Sequence, residues 1–264
     1  MKTFYNKDED YVNEMLEGII NAHLNLLKKV NGEIRAIARA DAPIKSKVSI
    51  VTGGGSGHLP VFMGYIGKGL LDGAADENNR RGVAGLFYAY KVAGACADKR
   101  GSLEEVDQTT KESLKNIRSL GVAISPCTVP GAEKPSFTLK DSEMEIGMGI
   151  HGEAGIKREE RKSADEVTED MMRLLFEDLP LEKGNEVSVL VNSLGATPLE
   201  ELYIIFRKVS QILQGKNIKI YKPFIGRYAT SLEMAGFSIT LFKLNEKYKE
   251  YLDHPVWTPF VKEG

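Results

Sequence analysis

Two histidines set in glycine-rich stretches are the residues of this chain best suited to chemistry. The stretch "TGGGSGH", Thr52 to His58, places an imidazole after Gly53, Gly54, Gly55 and Gly57, with the hydroxyl of Ser56 between them. The stretch "EMEIGMGIHGEAGI", Glu143 to Ile156, sets His151 among Gly147, Gly149, Gly152 and Gly155. Glycines remove side chains and allow positive φ, so a small ligand can come close to the backbone N–H groups and to the ring. An imidazole titrates near neutrality, which suits His58 to proton transfer as a general base. A neutral imidazole can also add to a ketone carbon, and the glycines around His151 clear that approach. Glu153 either orients the ring or is simply solvated.

Other uses of such loops fit less well. No Lys-Ser/Thr pair follows "TGGGSGH" at the spacing of a phosphate-gripping P-loop, and Pro60 stands where a dinucleotide fingerprint needs its third glycine. Gly147, Gly149 and Gly152 satisfy G-x-G-x-x-G literally. However, Glu143 and Glu145 precede them, no helix pattern follows at once, and a nucleotide site leaves His151 unexplained.

The elements that must carry these loops can be read from periodicity. Tyr11, Met15, Leu16, Ile19, Ile20 and Leu24 predict an amphipathic helix over residues 8–29, with His23 beside its apolar stripe. "KVSIVT", Lys47 to Thr52, predicts a buried strand feeding the first loop. "GVAGLFYAYKVAGACAD" is rich in small residues that let a helix pack closely on its neighbour. Ser102 with Glu105, Ser163 with Glu166 and Thr197 with Glu200 have capping-box spacing, and Pro198 suits a first helical position, so helices are expected near 103, 164 and 198. Between them "GVAIS", "EVSVLV", "IKIY" and "FSITLFKL" predict strands. The alternation implies an α/β fold of layered, mixed, mostly parallel sheets with flanking helices, the late contiguous strands making part of it antiparallel.

Composition sets the outer bounds. The chain has 264 residues, 42% hydrophobic and 27% charged, enough for one large or two small domains. With 35 basic against 37 acidic residues and no basic block, nothing favours nucleic acid or an anionic membrane surface. The opening residues are too polar for a signal peptide, and no apolar run approaches a membrane span. Cys96 and Cys127 read as free thiols in a reducing cytoplasm.

"ADAPIKSKVSIVTGGGSGH", "GYIGKGLLDGA", "RRGVAG", "SPCTVPG", "EMEIGMGIHGE" and "TSLEMAGFSITLFKL" together, in this order, resemble the dihydroxyacetone kinase family in its substrate-binding subunit or domain. The resemblance implies that His151 holds dihydroxyacetone (glycerone) as a covalent hemiaminal, which rejects glycerol because glycerol has no carbonyl. It implies substrate contacts from Gly55, Ser56, Gly57 and His58, with His58 as general base. It implies no cofactor bound by this chain and no metal ligands in it. ATP, or ADP, with magnesium is expected on a separate nucleotide-binding kinase subunit, and the family points to a homodimer.

Two departures from the family pattern stand out. Leu59 replaces the glutamate of "GSGHEP", a variant that leaves a four-carbon ketose such as erythrulose as an alternative substrate. "GYIGKGLLDGAA" runs directly into "DENNRRGVAG", whereas the family carries a long segment between these blocks with a lysine and an aspartate that help bind and activate the triose. The expected organisation is therefore an incomplete α/β domain over 1–80 with the glycine loop, and a second over 81–264 with the ketone-binding histidine. The leading function is a glycerone kinase component of glycerol metabolism. A ketone-binding regulatory paralogue without kinase activity is the second reading, and an assembly partner without a ligand is the third.

Overall fold

The computed structural model describes residues 4–53, 61–75, 84–149 and 155–264. The helix expected over 8–29 forms only as α1 (Tyr11–Ala22), burying Leu16 and Ile20. It stops at His23 because the next residues are drawn into a hairpin. β1 (Leu27–Val30) pairs antiparallel with β2 (Glu33–Arg39) across a two-residue Asn31–Gly32 turn in which both residues have positive φ. Asn-Gly suits that turn because neither residue pays the usual steric penalty there. Pairing also buries Leu27 under α1, which continued helix would not do.

β3 (Val51–Gly53) begins four residues later than the apolar run suggests. After the first loop come α2 (Val61–Gly64), a tight turn, and β4 (Gly73–Ala75). These strands form a sheet in the order β1-β2-β4-β3, in which β3 and β4 run parallel and both end toward the first loop. β3 is the margin of this sheet among the described residues, with Val51 67% exposed.

The rest of the chain supplies α3 (Leu86–Asp98), α4 (Leu103–Leu114), β5 (Ile117–Ala123), β6 (Glu143–Ile146), β7 (Lys157–Glu160), α5 (Ala164–Asp178) and β8 (Glu186–Ser193). It continues with α6 (Leu199–Gly215), β9 (Lys219–Gly226), β10 (Gly236–Lys243), α7 (Glu246–Asp253), β11 (Val256–Trp257) and β12 (Lys262–Glu263). A six-stranded sheet has the order β7-β6-β5-β10-β8-β9.

Mixed sheets with flanking helices are thus what the alternation implies, but the expectation of mostly parallel strands is corrected. Only β3–β4 and β8–β9 are parallel among the strand pairs described. β10 enters between β5 and β8 and runs against both, while β6 and β7 form a hairpin at the margin. The antiparallel pairs of β10 join strands far apart in the chain, and β6 and β7 lie in charged sequence, so neither pairing is visible from local alternation.

Side-chain alternation sorts the core into two main bodies. Val187, Val189, Val191, Ile239 and Leu241 point to one face of the large sheet, where α5 and α6 cover them. Leu190, Phe224 and Phe242 point the other way, into a core shared with α1, α3, α7 and the small sheet. The capping boxes at Ser102–Glu105 and Ser163–Glu166 are formed. The third is not: Thr197 Oγ1 donates to Gly236 O at 2.6 Å and accepts from Gly236 N at 2.8 Å. Its hydroxyl is occupied in tying α6 to β10, so Pro198 is the cap and α6 starts at Leu199.

Candidate functional site

The proposed site residues Gly55, Ser56, Gly57, His58 and His151 lie outside the described residues, as does Glu153. The structure does place the segments that lead into and out of both loops, and these converge on the first turns of α3. Thr52, the penultimate residue of β3, has its hydroxyl 2.9 Å from that of Tyr90 on α3. On the far side of the first loop, Tyr65 packs against Tyr90 and Phe87 with ring centroids 5.9 Å apart in each case. Its hydroxyl donates to Tyr228 O.

The second loop starts from β6, which pairs with β5. Gly85, the cap of that helix, donates its N–H to Ser119 Oγ on β5 at 3.1 Å, and Ser119 meets Thr240 of β10 at 2.6 Å. Two residues further along β5, Gly121 O accepts from Gly147 N at 2.7 Å. The missing side chain of Gly121 lets Met148 O lie directly over it. Gly147 has φ +86°, a left-handed conformation that glycine adopts without strain. Tyr90 is five residues along the helix from Gly85, a rise of about 7.5 Å. The base of the first loop therefore rests on α3 directly, and that of the second is held by β5 two residues from Ser119, where that strand meets the start of α3.

Glu145 is the residue that sequence reasoning passed over. It is 5% exposed on β6, and its Oε1 accepts from Gly155 N at 2.6 Å while its Oε2 accepts from Arg158 Nη2 at 2.8 Å and Nε at 3.2 Å. One carboxylate thus ties the strand before the second loop to the chain after it. Charge-assisted bonds of this kind are stronger than neutral ones. The signal was present as a glutamate on a short strand with an arginine 13 residues on, but only the β6–β7 register brings the two together.

Beneath the small sheet lies a buried ion cluster. Asp72 accepts from Lys47 Nζ at 2.6 Å, from Ile50 N at 2.8 Å and from Arg39 at 3.3 Å. Asp98 of α3 stands 3.7 Å from Lys47 and 3.3 Å from His254 Nε2. This cluster sits before β3 begins, at the opposite end of the strand from the loop, so it anchors the strand rather than facing a ligand. Among the described residues no group of three or more histidine, cysteine or carboxylate side chains is arranged to hold a metal. A cleft of about 1070 Å³ lies between Tyr5, Val129, Arg227, Leu232 and Phe260, the last of which packs on Tyr65 at the exit of the first loop. No helix among the described residues is long and apolar enough to cross a membrane.

Comparison with known sequences decides the lineage. The Dak1 domain profile matches residues 17–78 and 75–260. The chain belongs to the Dak1 family. The dihydroxyacetone-binding subunit DhaK of PTS-dependent dihydroxyacetone kinase 2 from Listeria innocua is 33% identical over 329 positions, covering 99% of each protein. An L-erythrulose kinase from Pectobacterium atrosepticum is 30% identical over 100% of this chain and 57% of its own length.

Among solved structures, the dihydroxyacetone kinase of C. freundii superposes with a TM-score of 0.86 at 25% identity, over 99% of this chain and 60% of that one. The dihydroxyacetone kinase operon co-activator Dha-DhaQ gives the same TM-score and identity over 95% of this chain and 98% of that one. The Dak1 match breaks into two pieces that meet at residues 75–78, and the Listeria alignment spans 329 positions against 264 residues here. The break falls where β4 leaves the small sheet beside the open margin of β3.

Proposed function

We propose that this Dak1 chain is the ketose-binding component of a dihydroxyacetone kinase. The lone-pair nitrogen of the neutral His151 ring adds to the ketone carbon as the C=O π bond opens, and the proton released from the other ring nitrogen balances the one taken up by the carbonyl oxygen, giving a neutral hemiaminal. Gly55, Ser56 and Gly57 hold the hydroxyls, and His58 accepts the proton of the terminal hydroxyl as that oxygen attacks phosphorus. The phosphoryl donor, ATP with magnesium, is carried by a separate nucleotide-binding subunit and leaves as ADP, which is either exchanged for ATP or rephosphorylated in place by a phosphotransferase relay. A homodimer, a cytoplasmic location and a division into units 1–80 and 81–264 belong to the same proposal.

The observation that carries it is the common footing of the two glycine loops. Thr52 on one side and Gly147 on the other are tied, through Tyr90 and through Ser119 with Gly85, to the same end of α3. A covalent anchor and a base must both reach one ligand, which loops starting near one another allow.

The test is intact-mass measurement with dihydroxyacetone on the wild-type chain and on His151→Ala, with borohydride-free native conditions and erythrulose in a parallel arm. A ketone-sized adduct on the wild type alone is expected; equal behaviour of the two chains would sink covalent capture. A coupled phosphorylation assay with a nucleotide-loaded kinase subunit then reports turnover.

A second reading is favoured by a specific observation. The full-length similarity to an operon co-activator, together with the break at residues 75–78, suits a ketone-binding regulator that no longer turns over. Adduct formation without phosphorylation in the coupled assay supports that reading over the kinase component.

A further inference from the structure

The first glycine loop runs into α2 and then into the turn "YIGKGLLD", Tyr65 to Asp72, and this exit is roofed by the strap Pro255–Glu263. The contact is backbone on backbone. Phe260 N donates to Gly64 O at 3.1 Å, and Trp257 N donates to Lys68 O at 3.0 Å. Side chains at Gly64, Gly67 or Gly69 would be driven into the Phe260 ring, Trp257 O and Pro255 O respectively. The glycine spacing of the turn is explained by the strap lying on it.

The strap is held at both ends by one ammonium group. Lys91 on α3 is fully buried; its Nζ donates to His254 O at 2.9 Å, just before the strap, and lies 3.3 Å from Glu263 Oε2 at its far end. Lys222 of β9 reaches the same carboxylate oxygen at 3.4 Å and Asp253 at 3.6 Å. Lys91 is the immediate neighbour of Tyr90, which meets β3 ahead of the first loop. Adjacent residues of one helix therefore grip the loop on both sides: Tyr90 on the strand before it, Lys91 through the strap on the turn after it.

We propose that Lys91 and Glu263 are positioning residues for the first glycine loop, so that ligand capture depends on a carboxylate that never touches the ligand. This rests on the ketose-binding reading above. Val256 and Val261 hold the strap by apolar burial that does not involve the Glu263 carboxylate, so loss of that charge is expected to loosen the strap without unfolding it. The groups facing Lys91 are Glu263, Lys222 and Asp253, and burial is the main force pulling its ammonium down to about 8, opposed by Glu263. Above that pH the cost of burying the ammonium is removed, which gives the clamp a pH signature that simple packing lacks.

The experiment compares the wild-type chain with Glu263→Gln by hydrogen exchange and by dihydroxyacetone adduct occupancy at sub-saturating ketone. Expected is exchange across residues 62–71 faster by roughly fivefold or more, unchanged exchange in β8 and β10, and a several-fold lower occupancy. Because burial depresses the Lys91 value, lifting the strap solvates the ammonium and is disfavoured as the group loses its proton, so raising the pH past its titration should hold exchange of 62–71 in the wild type below the intrinsic rise, with the onset at lower pH in Glu263→Gln. Wild-type exchange across 62–71 in the variant overturns the proposal, as does faster exchange with undiminished occupancy. If the wild type takes up no ketone, the ketose reading falls, and the exchange of 62–71 alone decides whether the clamp stands.

Discussion

The hydroxyls of Thr52 and Tyr90 meet at 2.9 Å, joining the end of β3 to the second turn of α3 at the point where the chain enters the first glycine loop. The pair is part-buried, and it couples the small sheet to the helix whose start meets β5, the strand that holds the second loop. Tyr90→Phe removes the hydroxyl while keeping the ring packed on Tyr65. A loss of about 1 kcal/mol in unfolding free energy is expected. Denaturant titration gives that number. Adduct occupancy should fall by more than so small a loss of global stability explains, and an occupancy equal to wild type would detach this pair from the site.

Glu145→Gln should affect the second loop in the same way. It removes the charge that binds Gly155 N and Arg158 together, at a cost of about 1.5–3 kcal/mol for bonds to a charged group. Arg158 is half exposed and keeps its hydration, so the lower figure is expected. Peptides spanning 145–158 should exchange faster while those of α6 do not.

Asp72→Ala is expected to be far more damaging. It leaves Lys47 and Arg39, whose side chains are 4% and 7% exposed, without their central anion, and Ile50 N without its acceptor. Breaking a buried ionic cluster by removing one partner costs about 3–5 kcal/mol. Urea unfolding should show the drop, and a loss under 1 kcal/mol would mean that water reaches the cluster.

Lys91 provides a pH test whose sign can be worked out. Its folded value, about 8, lies below the 10.5 of an unhindered lysine. Between those values the unfolded chain binds more protons than the folded one, so this group's contribution to stability rises with pH across that window. Below it both states are protonated and the full cost of burying the charge is present. Relative to Lys91→Met, the wild type should gain on the order of 3 kcal/mol from pH 7 to pH 11. Paired denaturation curves cancel the groups that titrate in both proteins; a flat difference would show that Lys91 is solvated in the folded state.

Local chemistry made much of this architecture legible. Ser102–Glu105 and Ser163–Glu166 form the caps their spacing predicts, because a capping box uses groups only three residues apart. β8 and β10 follow from runs rich in apolar and β-branched residues. β1, β2, β6 and β7 were missed. Their segments are charged, and their strand character comes from partners: β6 from β5, and β1, most of which falls within the helix expected over 8–29, from pairing with β2 across the Asn31–Gly32 turn. Thr197 shows the same limit in reverse, since its hydroxyl is claimed by Gly236, 39 residues away, and not by the helix it precedes.

By itself the sequence determined the lineage, the two glycine-rich loops and the break near residue 75, because these rest on residue identities in order along the chain. Only the tertiary structure decided that the first loop is footed on α3 and the second on β5 where it meets the start of that helix, that Glu145 closes the base of the second, and that Lys91 clamps a strap over the exit of the first. Those relations join residues between 10 and 172 positions apart in the chain. A carboxylate or an ammonium acquires its role from what burial and strand register set beside it, and neither is written at its own position.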